Sequence, residues 1–287
     1  MKKFISNIIA FLGIAFIFNI VVFIFANDNY YRDYTKIPDK KYKVFIMSDS
    51  HGASLEKFAE KYGVYNFSGN SDSYFDIERK INFLIRNNYK PERIFISADL
   101  HMLSPYREIS NNMDKTIIYT SDFNFNYFNE KYIKYYFPIL QVKINGLFRI
   151  YLEDKLKILL NQQQKTTNKV IWNKLSENEK LKRAEERIEG QFISKKPSQK
   201  LEKTFLNIIR ICKNNNIELI GIQFPLSPSY LKKIGNRNYG ADRILISNGL
   251  DVLNYRDIFK KDNAFFGDQD HLNAKGGQVF VNKVFEK

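Results

Sequence analysis

Residues 43–52, KVFIMSDSHG, decide how this chain is read. KVFIMS is an apolar run ended by a turn, the pattern of a short buried strand. The residues after it place Ser50 where the chain leaves the strand for a helix. A serine there presents its hydroxyl at the sheet edge, beside backbone N–H groups and a helix N-terminus that stabilise negative charge. The same position is one where serine often serves as a helix N-cap, a role without chemistry.

Working outward, residues 54–61 read as helix and 64–68 (VYNFS) as a second strand. Residues 73–88 carry Tyr74, Ile77, Ile81, Leu84 and Ile85 at helical spacing, and 93–98 (RIFISA) form a third strand. This βαβαβ order predicts a parallel sheet with helices on both faces and a site at the carboxyl ends of the strands. The pattern resumes with a helix over 199–214, a strand at 217–224 (IELIGIQF), a short strand at 252–254 and a terminal helix after Ala274. One domain, 42–101 with 199–287, is therefore expected to be split by residues 102–198.

That intervening stretch is too long for a connecting loop and reads as an inserted, mainly helical lid or docking subdomain. Helices are expected around 130–160 and 176–189, with a polar stretch at 161–168 (NQQQKTTN). Residues 119–138 (YTSDFNFNYFNEKYIKYYFP) are dense in aromatics. Tyr127, Tyr132, Tyr135, Tyr136 and Phe137 suit sugar stacking, a membrane interface or the packing of a small core of their own.

Residues 4–26 form an apolar run interrupted only by Ser6, Asn7, Gly13 and Asn19. At 1.5 Å per residue it spans roughly 34 Å, enough for a bilayer core. Lys2 and Lys3 precede it, which by the positive-inside rule puts residues 1–3 in the cytoplasm and everything after Asn27, beginning with a connector at 27–41, on the far side. A cleaved signal peptide is the rival reading, but the run is longer than a usual signal core, and Ile24 stands where cleavage after Ala26 needs a small residue.

The 287 residues carry 45 basic and 31 acidic side chains, a formal charge of +14. Such a surface attracts phosphates, anionic headgroups or acidic polysaccharides. An extracytoplasmic location removes nucleic acid as a partner. The single cysteine, Cys212, excludes an internal disulfide framework and a cysteine-rich zinc site.

Near the C-terminus, Asp268-Gln269-Asp270-His271-Leu272-Asn273 sets an acid three residues before a histidine, ahead of the terminal helix and Gly276 and Gly277. A serine nucleophile needs a base, and the base needs an acid to fix its tautomer and stabilise the imidazolium. Asp268, His271 and Ser50 fill those roles. Asp270 neighbours the histidine, and adjacent side chains tend to point apart, so it is expected to cap or to be solvated.

Asp49-Ser50 after the first strand, Ser68-Gly69-Asn70 after the second, a polar block after the third and the final Asp268-x-x-His271 together resemble the SGNH (GDSL-like) hydrolase superfamily. The resemblance covers roughly residues 43–101 and 199–285. It implies a three-layer α/β/α sandwich around a five-stranded parallel sheet, with Ser50, Asp268 and His271 as catalytic triad. It also implies oxyanion donors at the N–H of Ser50, at Gly69 and at an asparagine of the third block.

Two positions depart from the pattern. Ser48 stands where many members have glycine, and the third block, Ser97-Ala98-Asp99-Leu100-His101, lacks the asparagine. His101 or Asn70 is expected to substitute as donor, while a core or substrate-orienting histidine at 101 remains an equal reading. The anchor and insertion are similar to anchored members that modify bacterial envelope polysaccharides, such as the partner protein of teichoic acid D-alanylation and the alginate O-acetylation proteins. This implies serine O-acyl transfer to a surface polysaccharide beside a multipass membrane acyltransferase, without metal or cofactor. A surface-glycan esterase and a non-catalytic scaffold are the alternatives.

Overall fold

The computed structural model describes residues 1–120, 128–160 and 171–286. Its elements are α1 (Lys2–Phe25), β1 (Val44–Met47), α2 (Ser50–Ala53), β2 (Val64–Asn66), α3 (Tyr74–Arg86), β3 (Arg93–Ser97) and α4 (Tyr106–Ile109). Then follow α5 (Val142–Leu159), α6 (Glu177–Gln191), α7 (Gln199–Asn214), β4 (Glu218–Gln223), α8 (Pro228–Ile234), α9 (Ala241–Ser247), β5 (Val252–Asn254) and α10 (Ala274–Phe285). Two compact units result, one of Met1–Ile37 with Thr120–Lys169, the other of Pro38–Tyr119 with Val170–Lys287. The stretch 102–198 is thus divided: 102–119 and 170–198 belong to the unit with the sheet, and 120–169 group with α1. The polar stretch 161–168 and Tyr127 lie outside the described residues.

In the first unit, α1 is the one helix among the described residues long and apolar enough to cross a membrane. Val22, Phe25 and Ala26 cluster with Tyr30, Tyr31 and, from α5, Ile144 and Phe148. The continuous helix expected over 130–160 is broken. A π-turn at Asn129–Lys134 and a 3-10 turn at Pro138–Leu140 precede α5, because Pro138 has no N–H to donate and displaces Phe137 from helical backbone (φ −121°, ψ 62°).

The second unit is built on a five-stranded sheet of order β2-β1-β3-β4-β5, parallel throughout. VFIM, RIFIS and ELIGIQ are almost unbroken apolar runs because strands covered on both faces have no solvent side to mark with polar residues. On one side Tyr74 of α3 stacks on Phe205 of α7 at 4.1 Å, and its hydroxyl donates to the Ser97 carbonyl at 2.8 Å. A separate cluster joins Phe280 and Val281 of α10 to Leu55, Ala59, Ile46, Phe95 and Ile222. This is the three-layer α/β/α architecture around a five-stranded parallel sheet that was expected.

The chain turns to opposite sides of β1 for β2 and β3, so the strand order reverses there and leaves a crevice at the carboxyl ends. Ser50 follows β1 at that crevice and Asp99 follows β3. The helix expected over 54–61 is not formed. After α2 the backbone takes i→i−3 turns through residue 62, and Glu56 sits in left-handed backbone (φ 46°), which stops a helix while turning Leu55 and Ala59 into the core.

Gly276 in the first turn of α10 lies so close to Phe265 that an added Cβ would stand 2.1 Å from its carbonyl oxygen, whereas a Cβ on Gly190 of α6 would meet nothing within 4 Å. Gly276→Ala is expected to destabilise the fold by about 1–3 kcal/mol. Gly190→Ala is expected to be neutral or to stabilise by about 0.5–1 kcal/mol. Thermal melts of the full chain check both, and equal melting temperatures would remove the packing argument for α10.

Candidate active site

The turn from β1 into α2 is capped by Asp49, whose Oδ1 accepts the His51 N–H at 3.0 Å. Ser50 is therefore the first residue of the helix, not its cap, and its hydroxyl is left for another partner. That partner is His271: Ser50 Oγ and His271 Nε2 are 2.7 Å apart. His271 Nδ1 lies 2.9 Å from both carboxylate oxygens of Asp268. An ionised Asp268 only accepts, so Nδ1 carries the proton and Nε2 is free to take the one on Ser50. The structure thus brings together Ser50, His271 and Asp268.

The loop that carries them is organised by the Asp268 carboxylate, whose Oδ1 also accepts the N–H groups of Asp270 (3.0 Å) and His271 (2.9 Å). A bridge between Phe266 and Leu272 closes the loop, and Asn273 caps α10 through the Gly276 N–H at 2.9 Å. This tight turn overrides the expectation for Asp270. It is neither a cap nor solvated but buried, with Oδ2 accepting from Arg187 Nε (2.7 Å) and Gln191 Nε2 (3.0 Å). Its Oδ1 stands 3.3 Å from His271 Nδ1, so the imidazole has two acids beside it, with Asp268 the nearer.

Beneath the Ser50–His271 pair lies a buried polar layer. His51 puts Nδ1 2.9 Å from Asp99 Oδ2 and Nε2 3.4 Å from Asp270 Oδ2. Burial disfavours its charge, but Asp49, Asp99 and Asp270 outweigh burial and raise its pKa well above the ordinary histidine value, so both ring nitrogens donate. Asp99 also accepts from Ser97 Oγ (2.8 Å) and from the Phe224 N–H (2.8 Å), tying β3 to β4. Burial likewise opposes ionisation of Asp270, yet His271, His51 and Arg187 hold its pKa well below the carboxylate range.

The expected oxyanion groups are placed differently from one another. His101 is buried, with Nε2 2.9 Å from Asp49 Oδ2. Burial lowers its pKa, so it is a neutral ring donating to a carboxylate. The Gly69 N–H donates to the Ser48 carbonyl at 3.2 Å. Asn70 is exposed on the wall of a cavity of about 630 Å³ that also contains Ser50, His271, Tyr106, Arg107 and Arg187. Of the three, Asn70 faces the space a substrate would fill. Sequence reasoning missed His51, Arg107, Arg187 and Gln191. The acid-serine-histidine run at 49–51 was a signal for the first, while the others come from 102–198, where no motif marks them.

Among the described residues, His51 with Asp270 and His271, and Asp49 with His51 and Asp99, bring potential metal-ligand atoms within 4.8 Å of one another. Both ring nitrogens of His51 already face carboxylates, and His271 is committed to Ser50 and Asp268. The arrangement is that of a hydrogen-bonded charge network.

No family model matches the chain, and no curated protein matches it. Among solved structures it is similar to a Bacteroides fragilis protein with an acylhydrolase designation, at 13% identity and a TM-score of 0.39, covering 90% of this chain and 93% of the other. It is likewise similar to a GDSL-like lipase from Bacteroides thetaiotaomicron, at 13% identity and a TM-score of 0.39, covering 91% and 98%. The sheet order and the helices on its two faces give the chain an α/β fold with the site at the carboxyl ends of the strands.

Burial lowers the pKa of His271, but Asp270 and then the Asp268 hydrogen bond overcome this and leave it raised above the ordinary histidine value. Asp270→Asn removes the largest raising influence, so the His271 titration should move to lower pH, read by NMR of the ring nitrogens. The same change leaves Arg187 and His51 without their shared carboxylate and should destabilise the fold by about 3–5 kcal/mol. An unchanged His271 titration would refute the electrostatic role of Asp270.

Proposed function

We propose that the chain is a membrane-anchored serine acyltransferase of the esterase type, acting outside the cytoplasm on a cell-surface polysaccharide. The observation that carries the chemistry is the contact of Ser50 Oγ with His271 Nε2 at 2.7 Å, with Asp268 on the opposite ring nitrogen at 2.9 Å. Ser50 Oγ attacks the carbonyl carbon of an acyl ester while its proton passes to Nε2. Collapse of the tetrahedral intermediate breaks the ester bond, and the leaving alcohol takes that proton. A polysaccharide hydroxyl then loses its proton to Nε2, attacks the acyl-serine and restores the Ser50 hydroxyl.

Negative charge on the carbonyl oxygen needs donors aimed at it. The Ser50 N–H is one, and Asn70, Arg107 and Arg187 in the cavity wall are the groups available in place of the missing third-block asparagine. Support for the location is α1, which has the length and composition of a span and is preceded by Lys2 and Lys3. The same triad serves hydrolysis when water replaces the acceptor, so a surface-glycan esterase is the second reading.

Ser50→Ala or His271→Ala should lower kcat by about 10⁴–10⁶-fold and Asp268→Asn by less, because the three groups act as a unit. Activity should fall as pH drops through the raised pKa of His271, since only the neutral ring accepts the serine proton. The test is fluorophosphonate labelling of the full chain, followed by turnover of an activated acyl ester with and without polysaccharide acceptor. Labelling lost in Ser50→Ala and acyl groups appearing on the polymer are expected. A wild type that does not label overturns catalysis in favour of a scaffold, and full-rate turnover without acceptor leaves the esterase.

A further inference from the structure

We propose that residues 128–160 are immersed in the lipid leaflet next to the C-terminal end of α1, with the apolar stripe of α5 turned to the acyl chains. This inference rests on the reading of α1 as a membrane span.

If residues 4–26 cross the bilayer, everything packed against the last turns of that run lies at membrane depth. Phe18 stands eight residues before Ala26, about 12 Å inside the end of the span at 1.5 Å per residue. Its ring meets Phe148 of α5 at 5.9 Å, and Phe25 meets Phe148 and Tyr151 at 5.1 Å each. Phe23 contacts Tyr135 at 5.6 Å and stacks on Tyr136 at 5.9 Å. At the span's end Tyr135 Oη donates to Asn27 Oδ1 at 2.7 Å, and Lys143 Nζ lies over Tyr30 at 5.0 Å. α5 therefore starts level with the residues just past the span and packs on it through Phe148 and Tyr151, at the level of Phe18–Phe25.

Asn19 makes the case independent of aromatic contacts. An amide inside a span is expensive unless another group takes its hydrogen bonds. Asn19 is buried, and its Nδ2 donates to the Tyr136 carbonyl at 2.9 Å. The chain at 135–137 thus reaches far enough along the span to accept from the Asn19 Nδ2, while the Asn19 Oδ1 has no partner among the described residues.

The sequence of α5 suits the same place. Ile144, Leu147, Phe148, Tyr151, Leu152, Ile158 and Leu159 follow helical spacing along one side, interrupted by Lys155, whose Nζ lies over the Tyr151 ring at 5.5 Å, while Lys143, Arg149, Glu153, Asp154 and Lys157 fall on the other with Ile150 among them. α1 covers the stripe at Ile144 and Phe148, yet Leu147, Leu152, Ile158 and Leu159 stay exposed. Ile17, Ile20, Val21 and Ile24 of α1 are exposed as well, the face that a span turns to lipid. The basic residues of the polar face would meet headgroup phosphates.

The test places spin labels in the full chain, reconstituted in nanodiscs containing only lipid. Single cysteines Leu152→Cys and Ile158→Cys are made in a Cys212→Ala background, with Phe11→Cys as the span control and Ile246→Cys, exposed on the sheet-bearing unit, as the water control. Oxygen should be favoured over a water-soluble nickel relaxant at 152 and 158, reporting a depth of roughly 5–10 Å below the interface. Labels at 152 and 158 that match Ile246 while Phe11 reports lipid would overturn immersion and leave the anchor standing, the pattern expected of a stripe made for a protein partner. A label at Phe11 that reports water would overturn both.

Discussion

The buried contact of the His51 ring with Asp99 and Asp270 is the interaction on which the site depends. It joins three segments distant in the chain: the turn after β1, the turn after β3 and the loop before α10. A charged imidazole in the interior is costly alone, and each carboxylate beside it would be costly alone. Together they are satisfied only in one arrangement, and that arrangement holds Asp270 and the His271 loop over Ser50. His51 gains stability from its raised pKa at low and neutral pH, and this is lost as pH rises through that value.

Above this layer the chemistry follows from division of labour between neighbours. Asp49 takes the helix cap and accepts from His101, which leaves Ser50 uncommitted at the first helical position. Asp268 organises its loop and fixes the tautomer of His271, while Asp270 supplies buried negative charge near the same ring nitrogen. The more exposed acid orients the ring and the buried one biases its charge. His101, adjacent in the third block, is held in the buried layer and neutral, so it supports Asp49 instead of facing the cavity.

In the first unit, the polar interruption at Asn19 is matched by a carbonyl that arrives from residue 136. Of the two asparagines in α1, Asn7 and Asn19, it is the buried one whose Nδ2 finds this carbonyl. The aromatics of 128–138 divide accordingly: Tyr135 is half-buried against α1, and Tyr132, Tyr136 and Phe137 remain exposed. Neither a wholly private core nor a wholly bare platform describes them.

By itself the sequence determined the parallel sheet, the apolar N-terminal helix and the serine, aspartate and histidine that meet. Strands covered on both faces print continuous apolar runs, helices print their period, and Asp268 and His271 share one short loop. Short elements escaped it: α8 has only seven residues, fewer than a period needs, although Ser227 and Pro228 mark its start. The tertiary structure alone decided that 54–61 turns instead of coiling, that Asp270 points inward, and that Arg187 and Gln191 of α6 close on it. Those outcomes depend on which buried charges find partners, and the partners lie tens to hundreds of residues away, where no local pattern records them.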